Sequence, residues 1–270
     1  MFCHIPVAQA RFLGLRLFPS TCAVTTELKS HPVRRRFFVE QFKGNSAFIE
    51  GETAHHLGRV LRAQPGQLYE LSDGHRVQLG RVEKVSRDRI EFALIEEIPA
   101  YQPPVDITLL LSVVKFEAFE WAIEKATELG VSTIIPLAAA RSEKALVAAA
   151  GKRAERWRKI LAEASQQSRR VRLPILKPLA TPTQAFAAQD AAARIMLSER
   201  PDAPTLCEVL HGTAAQRAAL AIGPEGGWTD EEFAAAQNAG FREASLGKLI
   251  LRTETAVIAA LASLNYALTE

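Results

Sequence analysis

Cysteine, methionine and most aromatics are scarce in this 270-residue chain, which has three Cys, two Met, three Trp and three Tyr. Cys3, Cys22 and Cys207 stand far apart, in no spacing that suits a structural zinc or a disulfide framework. That usage points to a reducing compartment, the cytoplasm. The six histidines are scattered as well; only His55 and His56 adjoin. On a helix they point about 100° apart and share no metal, so no metal site is expected. No apolar run reaches the roughly eighteen residues of a membrane span. The Gly-x-Gly-x-x-Gly fingerprint is absent, which disfavours a Rossmann-type nucleotide site. What is present, 48% hydrophobic and 23% charged residues, suffices for one large globular domain or two smaller ones.

The net charge is only +3, yet it is unevenly placed. Between Lys152 and Lys177 nine basic residues face only Glu155 and Glu163, a net +7. A solvated, salt-laced helix face is one reading of such a run. Arginine clustering with so little acidic balance fits a polyanion partner better.

Along the chain, residues 1 to about 33 read as an appendage. The apolar stretch Phe12 to Phe18 is broken by Arg16 and lacks both a preceding basic cluster and a small-residue cleavage site, which argues against a secretory signal. A mis-assigned start, with Val33 as the candidate first codon, is the preferred explanation; an extension that touches RNA is the alternative. From Arg36 to about Pro99 short strands are predicted at Arg36 to Glu40, Ser46 to Ile49, Leu68 to Ser72, Val77 to Val85 and Arg89 to Ile98. Turns fall at Pro65-Gly66 and Asp73-Gly74, and a helix at Glu52 to Leu61. This pattern suggests a small barrel over 34–100. Pro99-Ala100-Tyr101-Gln102-Pro103-Pro104 reads as a linker, because consecutive prolines continue neither a helix nor a central strand.

From residue 104 to 270 strands and helices alternate, the signature of an α/β domain with a parallel sheet. Strands are predicted at Asp106 to Val114, Ser132 to Leu137, Arg194 to Ser198, Ala218 to Ile222 and Ala244 to Leu246. Helices are predicted at Glu117 to Leu129, Lys152 to Gln167, Asp230 to Ala239 and Thr253 to Leu268. Two strand-to-helix corners stand out: Gly223-Pro224-Glu225-Gly226-Gly227, and, twenty residues on, Gly247-Lys248-Leu249-Ile250-Leu251-Arg252-Thr253-Glu254-Thr255-Ala256. Either alone is a turn or a helix cap. Together, side by side, they make a site where backbone groups approach a ligand that side chains would keep away.

At these residues the chain resembles the RsmE family, the small-subunit ribosomal RNA uridine-N3 methyltransferases of the SPOUT superfamily. The resemblance covers residues 36 to about 268 in ordered elements. These are Arg36-Phe37-Phe38-Val39; His56-Leu57 with Val60-Leu61-Arg62; Lys115 ahead of Glu124-Lys125-Ala126-Thr127-Glu128-Leu129-Gly130-Val131; Glu163 to Pro174; Ile222 to Gly227; and Leu246-Gly247 with Leu251 to Ala256. It implies a PUA-like RNA-binding β-barrel followed by a SPOUT methyltransferase domain, a parallel-sheet α/β domain whose chain end forms a trefoil knot. The base rate for knots opposes that, and only the resemblance carries it. It also implies a homodimer, S-adenosylmethionine as methyl donor, and a uridine in the decoding region of 16S rRNA of the 30S subunit as acceptor. The chain departs from the pattern at Arg169-Arg170, where a glycine often precedes the arginine, and at Lys248, where an arginine is frequent.

Methylating uracil N3 requires loss of the N3 proton and leaves negative charge on the ring. Arg252 is assigned as electrostatic stabiliser or uridine clamp and Glu254 as possible base. Arg252 pairing with Glu225, and Glu254 merely complementing a helix dipole, are the structural alternatives. Gly223, Glu225, Gly226, Gly227, Gly247 and Thr253 are expected to hold the donor, with Leu197, Ile222, Leu246 and Leu251 walling an adenine pocket or simply forming core. RNA contacts are expected from Arg34, Arg35, Arg36, His56, Arg59 and Arg62 on the barrel side and from Arg169, Arg170 and Arg172 after the basic helix. A ribose 2′-O-methyltransferase of the same superfamily is a rival, disfavoured by Arg252-Thr253-Glu254-Thr255 where those relatives carry an asparagine-rich motif. A non-catalytic RNA-binding assembly factor is another, disfavoured by the intact glycine corners.

Overall fold

The structure, a computed structural model, describes residues 35–269. The readings for the appendage and for Arg34 lie outside these residues. The first part contains β1 (Arg36–Phe38), β2 (Ser46–Glu50), α1 (Gly51–Arg59), β3 (Leu68–Ser72), β4 (Val77–Val85) and β5 (Arg89–Ile98). They form a five-stranded sheet in the order β1-β3-β4-β5-β2. All its pairs are antiparallel except β1 with β3. Alternation along β5 buries Ile90, Phe92 and Leu94 on one face. These pack with Phe37, Leu57 and Leu71 into one core, each large side chain contributing about 1.5–3 kcal/mol through burial. The β3–β4 hairpin closes where Asp73 Oδ1 accepts from the backbone N–H groups of His75 at 2.9 Å and Arg76 at 2.8 Å.

The second part contains β6 (Asp106–Ser112), α2 (Phe116–Glu128), β7 (Thr133–Leu137), α3 (Lys144–Gln167), β8 (Ile175–Leu176) and α4 (Pro182–Ala187). It continues with β9 (Ala193–Leu197), α5 (Leu206–Leu210), β10 (Arg217–Ile222), α6 (Asp230–Asn238), β11 (Arg242–Ala244) and α7 (Thr253–Thr269). The sheet runs β11-β9-β10-β6-β7-β8 and every pair is parallel. The three consecutive leucines of β6, Leu109 to Leu111, follow from burial on both faces of the sheet. Leu109 and Leu111 pack with Phe119, Trp157 and Leu261, while Leu110 packs on the other side with Phe186, Trp228 and Phe233. Helix α2 buries Phe119, Ala122, Ile123 and Ala126, a helical spacing that makes one apolar stripe. No helix among the described residues is long and apolar enough to cross a membrane.

Some elements differ from the sequence reading. Helix α3 begins at Lys144, eight residues before the predicted start, and runs through Gly151. An interior glycine costs about 1 kcal/mol in a helix, and buried Ala150, Trp157 and Leu161 outweigh it. Strand β11 stops at Ala244 rather than Leu246 because Ser245 turns away to bridge with Thr205. The short β8, α4 and α5 were not predicted, yet α4 and α5 each open on a full capping box, Thr181 with Gln184 and Thr205 with Glu208.

A buried polar strap joins the first sheet to the loop after α3. Arg36, 5% exposed, donates from Nε and Nη2 to Glu70 Oε2 at 3.1 and 2.9 Å and from Nη1 to the Arg169 carbonyl. The Ser72 hydroxyl donates to the Val171 carbonyl beside it.

Candidate functional site

The C-terminal ends of parallel strands in an open sheet leave a crevice whose walls are loops rather than packed helices. Here the loops after β6, β9, β10 and β11 enclose a cavity of about 1170 Å³. Its walls include Leu197, Ile222, Gly223, Glu225, Gly226, Gly227, Leu246, Gly247, Leu251, Arg252, Thr253 and Glu254, so the residues assigned to donor binding and chemistry come together in one place. The two glycine corners are not adjacent, however. Strand β9 lies between β10 and β11, and its end, Leu197 to Arg200, forms the wall between the corners.

The first corner is a tight turn in which the Gly227 amide donates to the Pro224 carbonyl at 2.8 Å, with Gly227 at φ +69. It is clamped from outside. Arg141, in the loop after β7, donates to the Gly226 carbonyl at 2.9 Å. Glu232 accepts the Ala140 amide through Oε1 at 2.8 Å and the Thr229 amide through Oε2 at 2.9 Å, tying that loop to the start of α6. Beneath the turn, the indole of buried Trp228 donates to the Leu197 carbonyl at 3.0 Å.

The second corner turns at Gly247, whose φ of +114 is closed to ordinary side chains and whose missing Cβ faces open space. After it, Leu249 and Ile250 are 82% and 80% exposed on the cavity wall. The Arg252 carbonyl accepts the Ala256 amide at 2.9 Å and opens α7. This places Glu254 in the first helical turn, half-buried, and Arg252 exposed on the cavity wall. Arg252 forms no ion pair with Glu225 or another acid among the described residues. Lys115, Arg141 and Arg200 also line the cavity. Arg200 is held by Asp230 at 2.7 Å and stacks 3.6 Å over Phe233. Sequence reasoning passed over Arg141, Arg200 and Trp228. Only Trp228 carried a local signal, as an aromatic directly behind the double glycine.

The arginines assigned to RNA separate into two sets. Arg35, His56, Arg59, Arg62, Arg169 and Arg172 are exposed. Arg172 donates to Gln102 Oε1 at 2.6 Å. Arg36 and Arg170 are corrections, because both are spent inside the protein. Arg36 belongs to the strap described above. Arg170, 9% exposed, donates to the Thr127 carbonyl at 2.7 Å and the Arg172 carbonyl at 3.2 Å. Burial, with the charge of Arg172 beside it, pushes its guanidinium down to about 10, so it stays charged at neutral pH. Arg169 takes the left-handed backbone, φ +55, a conformation free of strain only for glycine. That explains why a glycine suits this position, and the Arg36 bond to its carbonyl holds the strained residue in place. In α3 the basic run is likewise partly occupied at home: Arg153 and Arg156 face Glu120, and Lys159 reaches Glu52 on α1.

The model of the RNA methyltransferase domain family matches residues 101–265. A ribosomal RNA small subunit methyltransferase E from Synechocystis is 34% identical over 222 residues, 78% of this chain and 70% of that protein. One from Aquifex aeolicus is 30% identical over 228 residues, 82% of this chain and 95% of that protein. Among solved structures, the Neisseria gonorrhoeae ribosomal RNA small subunit methyltransferase E bound to S-adenosyl methionine superposes with a TM-score of 0.79 at 29% identity, covering 87% of this chain and 98% of that one. A Legionella pneumophila putative methyltransferase, in complex with the same cofactor, gives 0.77 at 28% identity with the same coverage. The relatives span both sheets, and the chain belongs to the ribosomal RNA small subunit methyltransferase E family.

Proposed function

We propose that this protein transfers a methyl group from S-adenosylmethionine to N3 of one uridine in 16S rRNA of the 30S subunit. The observation that carries the reading is the convergence of both glycine corners on one cavity in a chain of this family. Ligand pockets commonly occupy about 300–1,000 Å³, and this cavity of about 1170 Å³ leaves room for a methyl donor and an acceptor base together. The residues fit the donor. Gly226 lets the turn pack closely on Arg141, where a Cβ would stand 3.2 Å from the arginine's own Cβ, Gly247 opens onto empty space, and Leu197, Ile222, Leu246 and Leu251 supply apolar wall.

S-adenosylmethionine supplies an electrophilic methyl on a sulfonium centre. Glu254 accepts the uracil N3 proton, and Arg252 stabilises the negative charge this leaves on the ring. The N3–carbon bond then forms as the carbon–sulfur bond breaks, its electron pair returning to sulfur. Arg35, His56, Arg59, Arg62, Arg169 and Arg172 provide the surface for RNA phosphates, and the target base enters the cavity unpaired. The five-stranded sheet acts as a PUA-like RNA-binding barrel. The segment after β11 threads as a trefoil knot, a reading supported by the loop that grips Ser245. The Ser245 amide donates to the Pro204 carbonyl at 2.7 Å, and the Leu206 amide donates to the Ser245 carbonyl at 2.8 Å. The chain works as a homodimer, supported by exposed Trp121, Leu249 and Ile250 around the cavity, which a second copy would cover.

The test is methyl transfer from labelled S-adenosylmethionine to 30S subunits lacking uridine-N3 methylation, followed by nucleoside analysis. 3-Methyluridine at one site, abolished by Arg252→Ala and reduced by Glu254→Gln, is the expected result. Label on a ribose oxygen, or donor binding without transfer, would overturn it in favour of a 2′-O-methyltransferase or a binding-only assembly factor.

A further inference from the structure

The ladder between β9 and β10 ends at the pair Met196–Ala221. The pairing of the two strands thus stops one residue before each ends, and Leu197 has no strand partner on the β10 side. The indole of Trp228 fills that gap. Its Nε1 donates to the Leu197 carbonyl at 3.0 Å, and its ring lies against Gly223, the first residue of the glycine turn. The approach is close enough that a Cβ on Gly223 would stand 3.0 Å from both Cε2 and Nε1 of the indole. The ring is itself buried, 5% exposed, and is braced edge-on by Phe186, centroids 5.8 Å apart. One side chain therefore touches the ends of both strands, one through a hydrogen bond and the other through van der Waals contact.

We infer that Trp228 is a positioning residue for the methyl-donor pocket: its indole, wedged between Leu197 and Gly223, sets the spacing of the β9 and β10 loops that grip the donor. This rests on the reading of the cavity as the donor site. Phenylalanine at 228 keeps an aromatic ring against Phe186 but removes the donor to the Leu197 carbonyl, leaving a buried acceptor unpaired. The loop then loses its fixed height over the cavity. Donor affinity falls, while the chemistry of donor already bound is little changed, the pattern of lost uniform binding. Gly223 and Trp228 must also act as a pair. A methyl added at Gly223 pushes the indole, and a smaller side chain at 228 makes room for it.

The experiment is calorimetric titration of the full-length protein with S-adenosylhomocysteine, alongside steady-state kinetics on 30S subunits. The variants are Trp228→Phe, Trp228→Leu, Gly223→Ala and the double variant Gly223→Ala/Trp228→Leu, each with circular dichroism to verify the fold. Trp228→Phe should weaken binding about tenfold, the size expected for one buried hydrogen bond, and raise KM for the donor in parallel, with kcat within about twofold. The double variant should bind more tightly than the product of the two single losses predicts. Equal affinity of Trp228→Phe and wild type, a fall confined to kcat, or strictly multiplicative losses in the double variant would overturn the proposal. Absence of binding by the wild-type protein would remove the donor site itself, a distinct failure that takes this inference with it.

Discussion

Removing the carboxylate of Glu70 is expected to destabilise the protein more than removing any surface acid. The side chains of Arg36 and Glu70 are 6% and 9% exposed, and Glu70 Oε2 accepts two of the three guanidinium hydrogen bonds found for Arg36. Glu70→Ala leaves that guanidinium buried with only the Arg169 carbonyl to accept from it. Breaking a buried pair from one side costs about 3–5 kcal/mol, because the remaining charge is desolvated and uncompensated. The Arg81–Glu83 pair is the internal control. Its side chains are 53% and 49% exposed, and such pairs contribute about 0–1 kcal/mol. For a chain of this size each kcal/mol moves the melting temperature by about 2–4 °C, so Glu70→Ala should melt roughly 6–20 °C below wild type. Thermal and urea unfolding of Glu70→Ala, Glu83→Ala and the double variant Arg36→Met/Glu70→Leu would measure this. Removing both charges together should restore more than half of the loss, since no bare charge is left behind. If Glu70→Ala is no worse than Glu83→Ala, or the double variant is as unstable as Glu70→Ala, the argument from desolvation is wrong.

Two further outcomes follow from the same accounting of charge. In RNA-binding titrations across salt concentrations, Arg59→Ala, Arg62→Ala and Arg172→Ala should each flatten the logarithmic slope by up to about 0.7, the value for one released counterion on single-stranded RNA. Arg170→Met should leave that slope alone and lower the melting temperature instead; a slope change as large as that of Arg172→Ala would refute its assignment as a structural arginine. At Asp73, burial pushes the carboxyl up, but the backbone N–H groups of Arg76 and His75, with the charges of those two side chains, outweigh it and hold the carboxyl below the usual aspartate range. A carboxyl whose pKa is lower folded than unfolded stabilises the fold fully above the unfolded value of about 3.9, and that contribution disappears as pH falls through the folded value. Asp73→Asn, which keeps an accepting oxygen for the turn, should therefore narrow the urea-unfolding stability difference between about pH 6 and about pH 3. Identical pH dependence in the two proteins would show that the turn does not depend on the charge.

The difference between what was legible in the chain and what was not follows the reach of each interaction. Strand and helix periods are local, so β6, α2 and α7 could be read to within a few residues, and so could the glycine corners, whose chemistry lies in consecutive residues. Thr181 with Gln184 and Thr205 with Glu208 were equally local and announced α4 and α5, but helices of six and five residues are too short for a periodic pattern to flag. What stayed hidden was pairing at a distance. Arg36 resembles its neighbour Arg35 in sequence, yet Glu70 lies 34 residues away and decides its fate. Arg170 resembles Arg172, yet it points at a carbonyl 43 residues back. The same holds inside the cavity: the glycine corners announced themselves, while the end of β9 that separates them, and the indole that bridges 31 residues to hold it, were set by strand order alone. A basic run therefore marks a candidate RNA surface only after the arginines that brace the fold are subtracted, and here that subtraction removes Arg36 and Arg170 while leaving Arg35, Arg59, Arg62, Arg169 and Arg172 exposed.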